Sequence, residues 1–364
     1  MPQIQAAVLR AFGAPLAIEE VTLRDPGAGE IEVTLDAVAI CHSDISFAEG
    51  GWGGTLPAVY GHEAAGRVTA LGAGVTGLAA GDFVVVTLIK PCGSCPSCGS
   101  GKPTICETPT IEPPKLTDGE GAVVGAAMNC GAFAERVVVG ANQVVKLPQD
   151  LPAESAALLA CGVITGVGAV INAGRLRPGE DVVVIGAGGV GLNAIQGARI
   201  AGARRIIAVD MSEQKLAMAR DFGATHGILA TGEAPWQEAM TLLDGRGADV
   251  VAVTVGAIRA YDDAQRYLGW GGRMVMVGMP HSGAMAQYEP VVNAFMGSSM
   301  VGSKMGDVVI ARDIPWMADL YRQGRLKLDE LVSGRWRLDQ INEAIADTKS
   351  GAARRNVIVF DRPA

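Results

Sequence analysis

The segment DVVVIGAGGVG, residues 181–191, constrains the fold more than any other part of the sequence. An apolar run ends in a turn whose Gly186, Gly188 and Gly191 have the G-x-G-x-x-G spacing, with Gly189 and Val190 between them. The pattern LNAIQGARIAGA follows and predicts a helix. Such a turn lets the backbone approach a pyrophosphate at a helix N-terminus. We therefore predict a dinucleotide site here; the alternative is a strand–helix turn that binds nothing.

The next apolar run, RIIAVD, ends at Asp210, 19 residues after Gly191. A carboxylate at this place can accept hydrogen bonds from an adenosine ribose, and it repels a 2′-phosphate. NAD is therefore favoured over NADP, although Asp210 could also be a simple turn residue. Lys215, on the following helix, either stabilises the ribose or is a solvated lysine.

Apolar strands and helices alternate from residue 181 onward, and this alternation predicts a doubly wound parallel sheet. EQKLAMARDFGA reads as a helix, and DVVAVTV, RMVMVG and NVIVF read as further strands. The first 146 residues instead show short β-like runs between glycine-rich turns, typical of a mostly β domain. LPAESAALLACGVITGVGAVINAG, between these regions, has a helical apolar pattern. We therefore expect an α/β protein with two domains.

Charge and hydropathy exclude several partners. The 364 residues carry a formal net charge of −8, which argues against nucleic acid or an acidic membrane surface as partner. No apolar run has the roughly 18–20 residues that span a bilayer. The segment MPQIQAAVLRAFG lacks the pattern of a signal peptide. We expect a cytoplasmic protein.

Four of the seven cysteines lie in KPCGSCPSCGSGKPTIC: Cys92, Cys95, Cys98 and Cys106. Four thiolates on one short loop can close a tetrahedral zinc site, which leaves no position for a substrate. An iron–sulfur cluster is the rival interpretation, but the C-x3-C-P continuation is absent. Unligated cysteines are the third. We predict a structural zinc and expect the chemistry elsewhere.

The remaining cysteines are Cys41, Cys130 and Cys161. Cys41 and Cys161 together with His62 would form a two-sulfur, one-nitrogen zinc site with an open fourth position. The spacing alone leaves this open, because a lone cysteine is usually a small core residue. Cys130 is interpreted as a structural or pocket-side thiol.

The motifs CHSD and GHEAAGRV, the four-cysteine loop and VVVIGAGGVG…IIAVD together resemble the zinc-dependent medium-chain alcohol dehydrogenase family. The resemblance runs in order through nearly the whole chain, including DLYRQGRLKLDELVSGRWRLDQINEAIADTKSGAARRNVIVF. It implies a GroES-like β-rich catalytic domain and a Rossmann NAD-binding domain. The implied boundaries are 1–160 for the first part of the catalytic domain, 161–295 for the Rossmann domain, and 296–364 for the return to the catalytic domain.

The resemblance also implies roles for residues around a second zinc ion. Cys41, His62 and Cys161 would be its ligands, which makes two zinc ions per chain. Glu63 matches a carboxylate that can approach the metal during exchange of substrate or water. Asp44 matches an acid that holds the ligand histidine in one tautomer, although it could be a turn residue.

Ser43 matches the hydroxyl that takes the alcohol proton, and Arg355 matches an arginine that reaches the cofactor pyrophosphate. Arg355 could instead be a surface charge. Two positions depart from the family pattern. His42 stands where many members have a pyrophosphate-binding arginine. Ser46 stands where well-studied members have the histidine that ends the proton relay, so the relay is expected to be shorter or completed by water.

By position in the family, Trp52, Leu88 and Met279 should line the substrate pocket, although all three could be ordinary core residues. We therefore predict reversible oxidation of a primary apolar or aromatic alcohol to its aldehyde, with hydride transfer to NAD. A dehydrogenase of S-(hydroxymethyl)thiol adducts is the alternative, suggested by CHSDISFAEGG, GAFAE and LACGVITGVGAVINAG. A polyol dehydrogenase fits an apolar pocket less well. Two alternatives belong to other classes of protein: a zinc-free reductase and a non-catalytic NAD-binding protein.

The resemblance further implies a homo-oligomer in which Rossmann sheets join edge to edge. The segment from Glu107 to Asn129 is fairly long, which favours a dimer over a tetramer. The predicted partner is a small alcohol or aldehyde.

Overall fold

The computed structural model of the protein describes residues 1–109 and 113–361. Eighteen strands lie in these ranges. They are Gln3–Leu9 (β1), Ala17–Leu23 (β2), Glu30–Ala39 (β3), Ala58–Val59 (β4), Glu63–Leu71 (β5), Phe83–Thr87 (β6), Leu116–Thr117 (β7), Val123–Ala126 (β8), Arg136–Gly140 (β9), Val144–Lys146 (β10), Asp181–Ile185 (β11), Arg205–Asp210 (β12), His226–Leu229 (β13), Ala248–Val253 (β14), Leu268–Met276 (β15), Ser299–Gly302 (β16), Val332–Trp336 (β17) and Arg355–Val359 (β18).

Eleven α-helices accompany these strands in the same ranges. They are His42–Ala48 (α1), Pro96–Gly99 (α2), Ala153–Leu158 (α3), Gly162–Gly168 (α4), Gly189–Ile200 (α5), Glu213–Asp221 (α6), Pro235–Leu242 (α7), Ile258–Ala264 (α8), Pro290–Met296 (α9), Ile310–Arg322 (α10) and Ile341–Ser350 (α11). No helix of the described residues is long and apolar enough to cross a bilayer.

The described chain forms two compact units. The first comprises residues 1–161 and 309–364, and the second comprises Gly162–Val308. The second crossing between the units therefore lies 13 residues beyond the predicted boundary at 295/296. The physical reason is β16, Ser299–Gly302, which still pairs in parallel with β15 of the second unit. A terminal strand of this kind is not marked by composition, so the sequence placed the boundary too early.

The first unit contains two β-sheets. One is a closed barrel in the order β1-β2-β7-β8-β4, and the other has the order β10-β6-β5-β3-β18-β17, with β9 also paired to β3. The residues of β6 are all buried, as are most of β3, so these strands form the centre of the unit. The apolar pattern alone grouped the run NVIVF with the strands of the parallel sheet, whereas the family resemblance assigned it to the catalytic domain; it forms most of β18 of this unit, antiparallel to β3. A short buried strand has the same apolar pattern in either type of sheet.

The second unit contains a six-stranded parallel sheet in the order β13-β12-β11-β14-β15-β16. This order is the 3-2-1-4-5-6 order of a doubly wound nucleotide-binding fold. All residues of the central strand β11 are buried, which is expected where helices cover both faces of a parallel sheet. The turn after β11 leads directly into α5, and it lies at the point where the strand order reverses.

Candidate active site and cofactor turn

The motif CHSD forms the first turn of α1, and its carboxylate organises the site. Cys41 is the residue that caps the helix, and its backbone N–H donates to Asp44 Oδ2 at 3.0 Å. Asp44 Oδ1 accepts from the backbone N–H of Gly61 at 3.0 Å and lies 2.9 Å from His62 Nδ1. An acidic residue at the third helical position commonly bonds back to the capping residue. Here one carboxylate also fixes the neighbouring chain segment.

Gly61 is required by the backbone at this point. Its φ is +90°, and an added Cβ would lie 2.7 Å from Phe133. A side chain at this position would be both strained and in collision. The glycine therefore lets the segment before β5 turn closely, so that His62 faces the first turn of α1.

Cys41, His62, Glu63 and Cys161 form a buried cluster whose candidate ligand atoms all lie within 4.8 Å of one another. They come from the turn after β3, the start of β5 and the segment after α3. His62 is completely buried, and its Nε2 has no hydrogen-bond partner among the described residues. An orphaned buried nitrogen is costly unless it binds something. Two sulfurs and this nitrogen fit three of the four ligands of a tetrahedral zinc ion.

Glu63 is completely buried beside this cluster, and its partner is an arginine from the C-terminal strand. Arg355 Nη1 lies 3.4 Å from Glu63 Oε1 and also 3.4 Å from the carbonyl oxygen of Ile40. Only 5% of Arg355 is exposed. Burial raises the pKa of Glu63 to about 7, although the Arg355 charge opposes this shift. The guanidinium of Arg355, which was predicted to reach a pyrophosphate, therefore lies against this cluster of candidate metal ligands.

Mutual contacts also shift the two cluster thiols in opposite directions. A hydrogen bond between them lowers the pKa of Cys41 and raises the pKa of Cys161. Burial alone would lower the pKa of His62, but the Asp44 carboxylate and Cys41 raise it well above its ordinary value. One thiol of the pair is thus favoured as the thiolate, which is the form that binds a metal.

Ser43 and His42 occupy the first turn of α1 in different environments. The Ser43 hydroxyl is partly buried and donates to Cys41 Sγ at 3.1 Å, so it lies at the edge of the cluster. The side chain of His42 is exposed. Ser46, on the same helix, is partly buried. Their assigned roles in proton transfer and pyrophosphate binding remain predictions.

The four cysteines of the predicted structural zinc loop also converge. The Cys92 and Cys98 sulfurs are 4.0 Å apart, and the Cys95 and Cys106 sulfurs are 3.9 Å apart. Ligands at about 2.3 Å in a tetrahedron would be roughly 3.8 Å apart, whereas a disulfide needs about 2.0 Å. Backbone N–H groups donate to the sulfurs, for example from Cys95 to Cys92 at 3.2 Å. The geometry fits a closed four-thiolate zinc site.

In the second unit, the predicted glycine turn joins β11 to α5. Gly186 has a φ of +95°, and Gly188 caps α5. A Cβ on Gly191 would lie only 1.8 Å from the carbonyl oxygen of Gly186. Only glycine therefore allows the first turn of α5 to pack against the preceding loop, which is the close approach a dinucleotide-binding turn needs. Gly189 and Val190 begin α5.

Asp210 lies at the end of β12, beside this turn. Its Oδ2 accepts from the backbone N–H of Ala187 at 2.8 Å, and its Oδ1 accepts from the N–H of Ser212 at 3.0 Å. These bonds fix the carboxylate next to the glycine turn, while each oxygen keeps a lone pair for a ligand. Lys215 is partly buried on α6, where its backbone N–H bonds to the capping hydroxyl of Ser212 at 3.4 Å.

The predicted pocket residues fall in both units. Trp52 and Leu88 belong to the first unit and are partly buried. Met279 belongs to the second and is 65% exposed. Cys130 is buried in the first-unit core, where burial raises its pKa to about 12. Such a thiol is an inert core residue and not a ligand of either cysteine cluster.

Sequence reasoning missed two residues at the site. Gly61 could have been suspected, because a glycine directly before a candidate ligand often marks a special backbone conformation. Phe47 lies four residues after Ser43 on α1, and its ring contacts the ring of Trp52. No sequence signal distinguishes Phe47 from an ordinary core aromatic.

Comparison with known proteins identifies the family. Residues 27–149 match the alcohol dehydrogenase GroES-like domain, and residues 189–323 match the zinc-binding dehydrogenase family. An NDMA-dependent alcohol dehydrogenase of Amycolatopsis methanolica is 36% identical, with 98% of each chain covered. An S-(hydroxymethyl)glutathione dehydrogenase of Paracoccus denitrificans is 33% identical, with 98% of this chain and 99% of that protein covered.

The crystal structure of benzyl alcohol dehydrogenase from Acinetobacter calcoaceticus superposes with a TM-score of 0.93. That protein is 32% identical, and the match covers 99% of this chain and 100% of the other. Fold and site thus define a zinc-binding oxidoreductase that acts on alcohols. The chain belongs to the zinc-dependent medium-chain alcohol dehydrogenase family. The predicted family and the predicted fold, GroES-like with a Rossmann sheet, are confirmed.

Proposed function

We propose that this alcohol dehydrogenase oxidises primary apolar or aromatic alcohols to aldehydes, reversibly, with NAD as hydride acceptor. The observation that carries the proposal is the buried cluster of Cys41, His62 and Cys161 with the Ser43 hydroxyl at its edge. A buried donor set with a neighbouring hydroxyl suits an alcohol that must lose both a proton and a hydride.

The chain's residues would hold two zinc ions, one in each cysteine cluster. Cys92, Cys95, Cys98 and Cys106 would bind a structural ion and staple a loop that has little core of its own. Zinc held by Cys41, His62 and Cys161 would act as a Lewis acid that lowers the pKa of the alcohol.

Around that ion, the protein's own groups position and transfer protons. Asp44 holds Nδ1 of His62, so that Nε2 is the nitrogen presented to the cluster. Ser43 would accept the alcohol proton. Glu63 lies within reach of the ligand atoms, and Arg355 neutralises its charge while it stays buried. A contact of Arg355 with the cofactor pyrophosphate remains a prediction.

NAD would bind at the turn Gly186–Gly191, with its pyrophosphate at the N-terminus of α5. Its nicotinamide ring supplies the hydride acceptor. The fixed carboxylate of Asp210 would accept the ribose hydroxyls and repel a 2′-phosphate. Lys215 would add positive charge near the ribose, and His42 would be a weaker partner of the pyrophosphate than an arginine. The first unit is proposed as the catalytic domain and the second unit, Gly162–Val308, as the NAD-binding domain.

The similarity to a benzyl alcohol dehydrogenase supports an aromatic substrate, as do the apolar residues predicted for the pocket: Trp52, Leu88 and Met279. The similarity to an S-(hydroxymethyl)glutathione dehydrogenase supports the second candidate, a hydroxymethyl-thiol adduct. These two functions differ in whether a thiol must be present.

The experiment is NADH formation by the purified, zinc-loaded protein across a panel of alcohols. The panel holds short aliphatic alcohols, benzylic alcohols, polyols, and formaldehyde with and without low-molecular-weight thiols. Turnover of benzylic or longer primary alcohols without a thiol supports the proposal. Turnover of formaldehyde only when a thiol is present replaces it with the second candidate. No turnover together with one zinc per chain indicates a non-catalytic NAD-binding protein.

We also propose a homodimer joined through the second unit. Trp270 and Phe295 are 67% and 74% exposed, and their ring centroids lie 5.2 Å apart. The edge strand of the parallel sheet, β16, begins four residues after Phe295. Exposed apolar side chains of this size commonly mark an interface. A cytoplasmic location remains an expectation from the sequence.

A further inference from the structure

Three aromatic rings form a continuous row beside α1. The rings of Tyr60 and Phe47 stack with centroids 6.2 Å apart and an interplanar angle of 24°. The Phe47 and Trp52 rings come next and contact each other edge to face, with centroids 5.0 Å apart and an interplanar angle of 84°. Tyr60 is 2% exposed, whereas Phe47 and Trp52 are partly buried. The row thus runs outward from the core.

This row adjoins the cluster of candidate metal ligands through α1 and through the start of β5. Ser43 and Phe47 are four residues apart on α1, so they lie on the same face of the helix. The Ser43 hydroxyl donates to Cys41 Sγ at 3.1 Å. Tyr60 precedes His62 by two residues. Phe47 therefore lies one helical turn from the proposed proton acceptor.

Trp52 belongs to the segment GGWGG, residues 50–54, whose backbone is tied to α1: the N–H groups of Gly50 and Gly51 donate to the carbonyl oxygens of Phe47 and Ser46, each at 2.9 Å. Gly53 has a φ of +74° with no atoms within 4 Å of a Cβ built on it, and Gly54 has a φ of +140°. Such conformations are readily accessible only to glycine, which also costs the chain most entropy to order. The backbone bonds hold the segment in place, whereas the edge-to-face contact with the Phe47 ring acts on the Trp52 side chain itself.

We infer that Phe47 is a positioning residue that fixes the ring of Trp52, and that this pair sets the preference of the enzyme for aromatic over aliphatic alcohols. The inference rests on the proposed function, which places Trp52 in the substrate pocket. A ring held at a defined angle offers an aromatic substrate a fixed edge or face, because aromatic pairs depend on mutual orientation. A short aliphatic alcohol has no ring to orient and gains little from this order.

The test compares Phe47→Leu, Trp52→Leu and the double variant in the zinc-loaded enzyme with NAD. We expect Phe47→Leu to lower the ratio of kcat/KM for benzyl alcohol to that for 1-butanol by about 2- to 10-fold, mainly through KM. The same change in the Trp52→Leu background should leave the ratio unaltered. Phe47→Tyr keeps the ring and should therefore keep the parent ratio. This variant can still be measured if Phe47→Leu folds poorly.

Phe12→Leu is the matched control. The Phe12 ring packs against Gly50 of the same segment, within 3.3 Å of a Cβ built there, so it tests loss of an aromatic contact to the loop as such. We expect it to change both alcohols equally. An equal effect of Phe47→Leu on both alcohols, or an undiminished effect in the Trp52→Leu background, would overturn the inference.

Failure of the proposed function gives a different result. If Trp52→Leu itself leaves the alcohol ratio unchanged, Trp52 does not line the pocket, and both the pocket assignment and the specificity role of Phe47 are wrong. In that case, near-ultraviolet circular dichroism still tests, independently of activity, whether Phe47 positions the Trp52 ring. We expect Phe47→Leu to alter the tryptophan bands in the parent but not in the Trp52→Leu background, and no change in the parent would show that Phe47 does not position Trp52.

Discussion

Arg355 Nη1 lies 3.4 Å from Oε1 of Glu63, and at most 5% of either side chain is exposed. A buried ion pair is costly to break by removal of one partner, because the other charge stays buried without compensation. The pair joins the last strand of the chain, β18, to the start of β5, directly beside His62. It therefore links the C-terminal segment to the metal cluster.

Replacing Arg355 with Leu should destabilise the protein by about 3 kcal/mol, since it leaves the buried Glu63 carboxylate unpaired. The double variant with Glu63→Gln should recover part of this loss, and the urea midpoint at pH 8 measures both. Arg337→Ala, which breaks an exposed pair with Asp339, should cost less than about 1 kcal/mol. Equal effects at the two arginines would show that the buried pair contributes nothing special.

Asp44→Asn should weaken zinc binding at the Cys41–His62–Cys161 cluster by about 10- to 100-fold. The neutral amide oxygen stabilises the Nδ1–H tautomer of His62 less than the carboxylate does, and the amide NH2 group cannot accept the bond from the Cys41 N–H. Competition with a chelator, followed by metal analysis, measures the affinity. The four-cysteine loop should keep its zinc in the same sample. Asp82→Asn, which loses a surface pair with Lys146, is the control and should leave both sites unaffected.

Two zinc ions per chain should be found in the parent protein and one in Cys98→Ser, because a closed site needs all four thiolates. We expect the variant to melt at a lower temperature while it keeps the metal of the other cluster. Cys130→Ala removes a buried core thiol that is not in either cluster, and it should retain both ions. A parent content of one zinc contradicts the proposal of two sites.

Asp210→Ser should shift the coenzyme preference towards NADP. The carboxylate that repels a 2′-phosphate is lost, and we expect kcat/KM for NAD to fall by roughly 10-fold or more, since charged hydrogen bonds contribute about 1.5–3 kcal/mol. Steady-state kinetics with both coenzymes measure the ratio. Glu213→Ser removes a nearby exposed carboxylate on α6 and should leave the ratio as it is. An unchanged preference in Asp210→Ser would exclude the proposed role.

Glu30 should contribute stability that disappears in acid. Its carboxylate accepts two hydrogen bonds from Arg24, at 2.6 and 2.8 Å, and this contact lowers its pKa below the ordinary value of 4.5. The unfolded chain therefore binds more protons below pH 4.5, so the stabilisation is present above that pH and is lost as the pH falls towards the folded pKa. Glu30→Gln should be less stable than the parent at pH 7, and the difference should shrink below pH 4.5.

Urea midpoints of both proteins at a series of pH values measure this difference. Glu20→Gln, at an exposed position, is the control and should differ little from the parent at any pH. A difference between parent and Glu30→Gln that stays constant from pH 7 to pH 4 would contradict the electrostatic origin.

The cofactor turn could be predicted from the sequence because every residue that forms it lies within one strand–turn–helix segment. A Cβ on Gly191 would lie 1.8 Å from the carbonyl oxygen of Gly186, which is only five residues earlier in the chain. The cluster of candidate metal ligands could not be predicted in this way, because Cys41 and Cys161 are brought together only by the fold of the whole first unit. Spacing left that trio open, and family resemblance supplied it.

Other features depend on contacts that no pattern encodes. The position of Arg355 beside Glu63 follows from β18 pairing with β3, a long-range arrangement. The apolar pattern of NVIVF did not indicate which sheet accepts the strand, and only the family resemblance assigned it to the catalytic domain. The boundary at 295 was predicted too early because β16, which still pairs in the parallel sheet, is not marked by composition. Phe47 was missed because its importance comes from the neighbouring Trp52 ring, which lies beyond the end of α1.

The separation of Cys41 and Cys161 along the chain also bears on the unfolded state. A metal held by residues about 120 positions apart is a long cross-link, whereas one held between Cys92 and Cys106 closes a loop of about 14 residues. Loop-closure entropy grows with the logarithm of loop length, so the longer link restricts the denatured chain more, by about 2 kcal/mol. The ion proposed for chemistry would therefore also be the stronger staple of the fold, and its loss would cost stability as well as turnover.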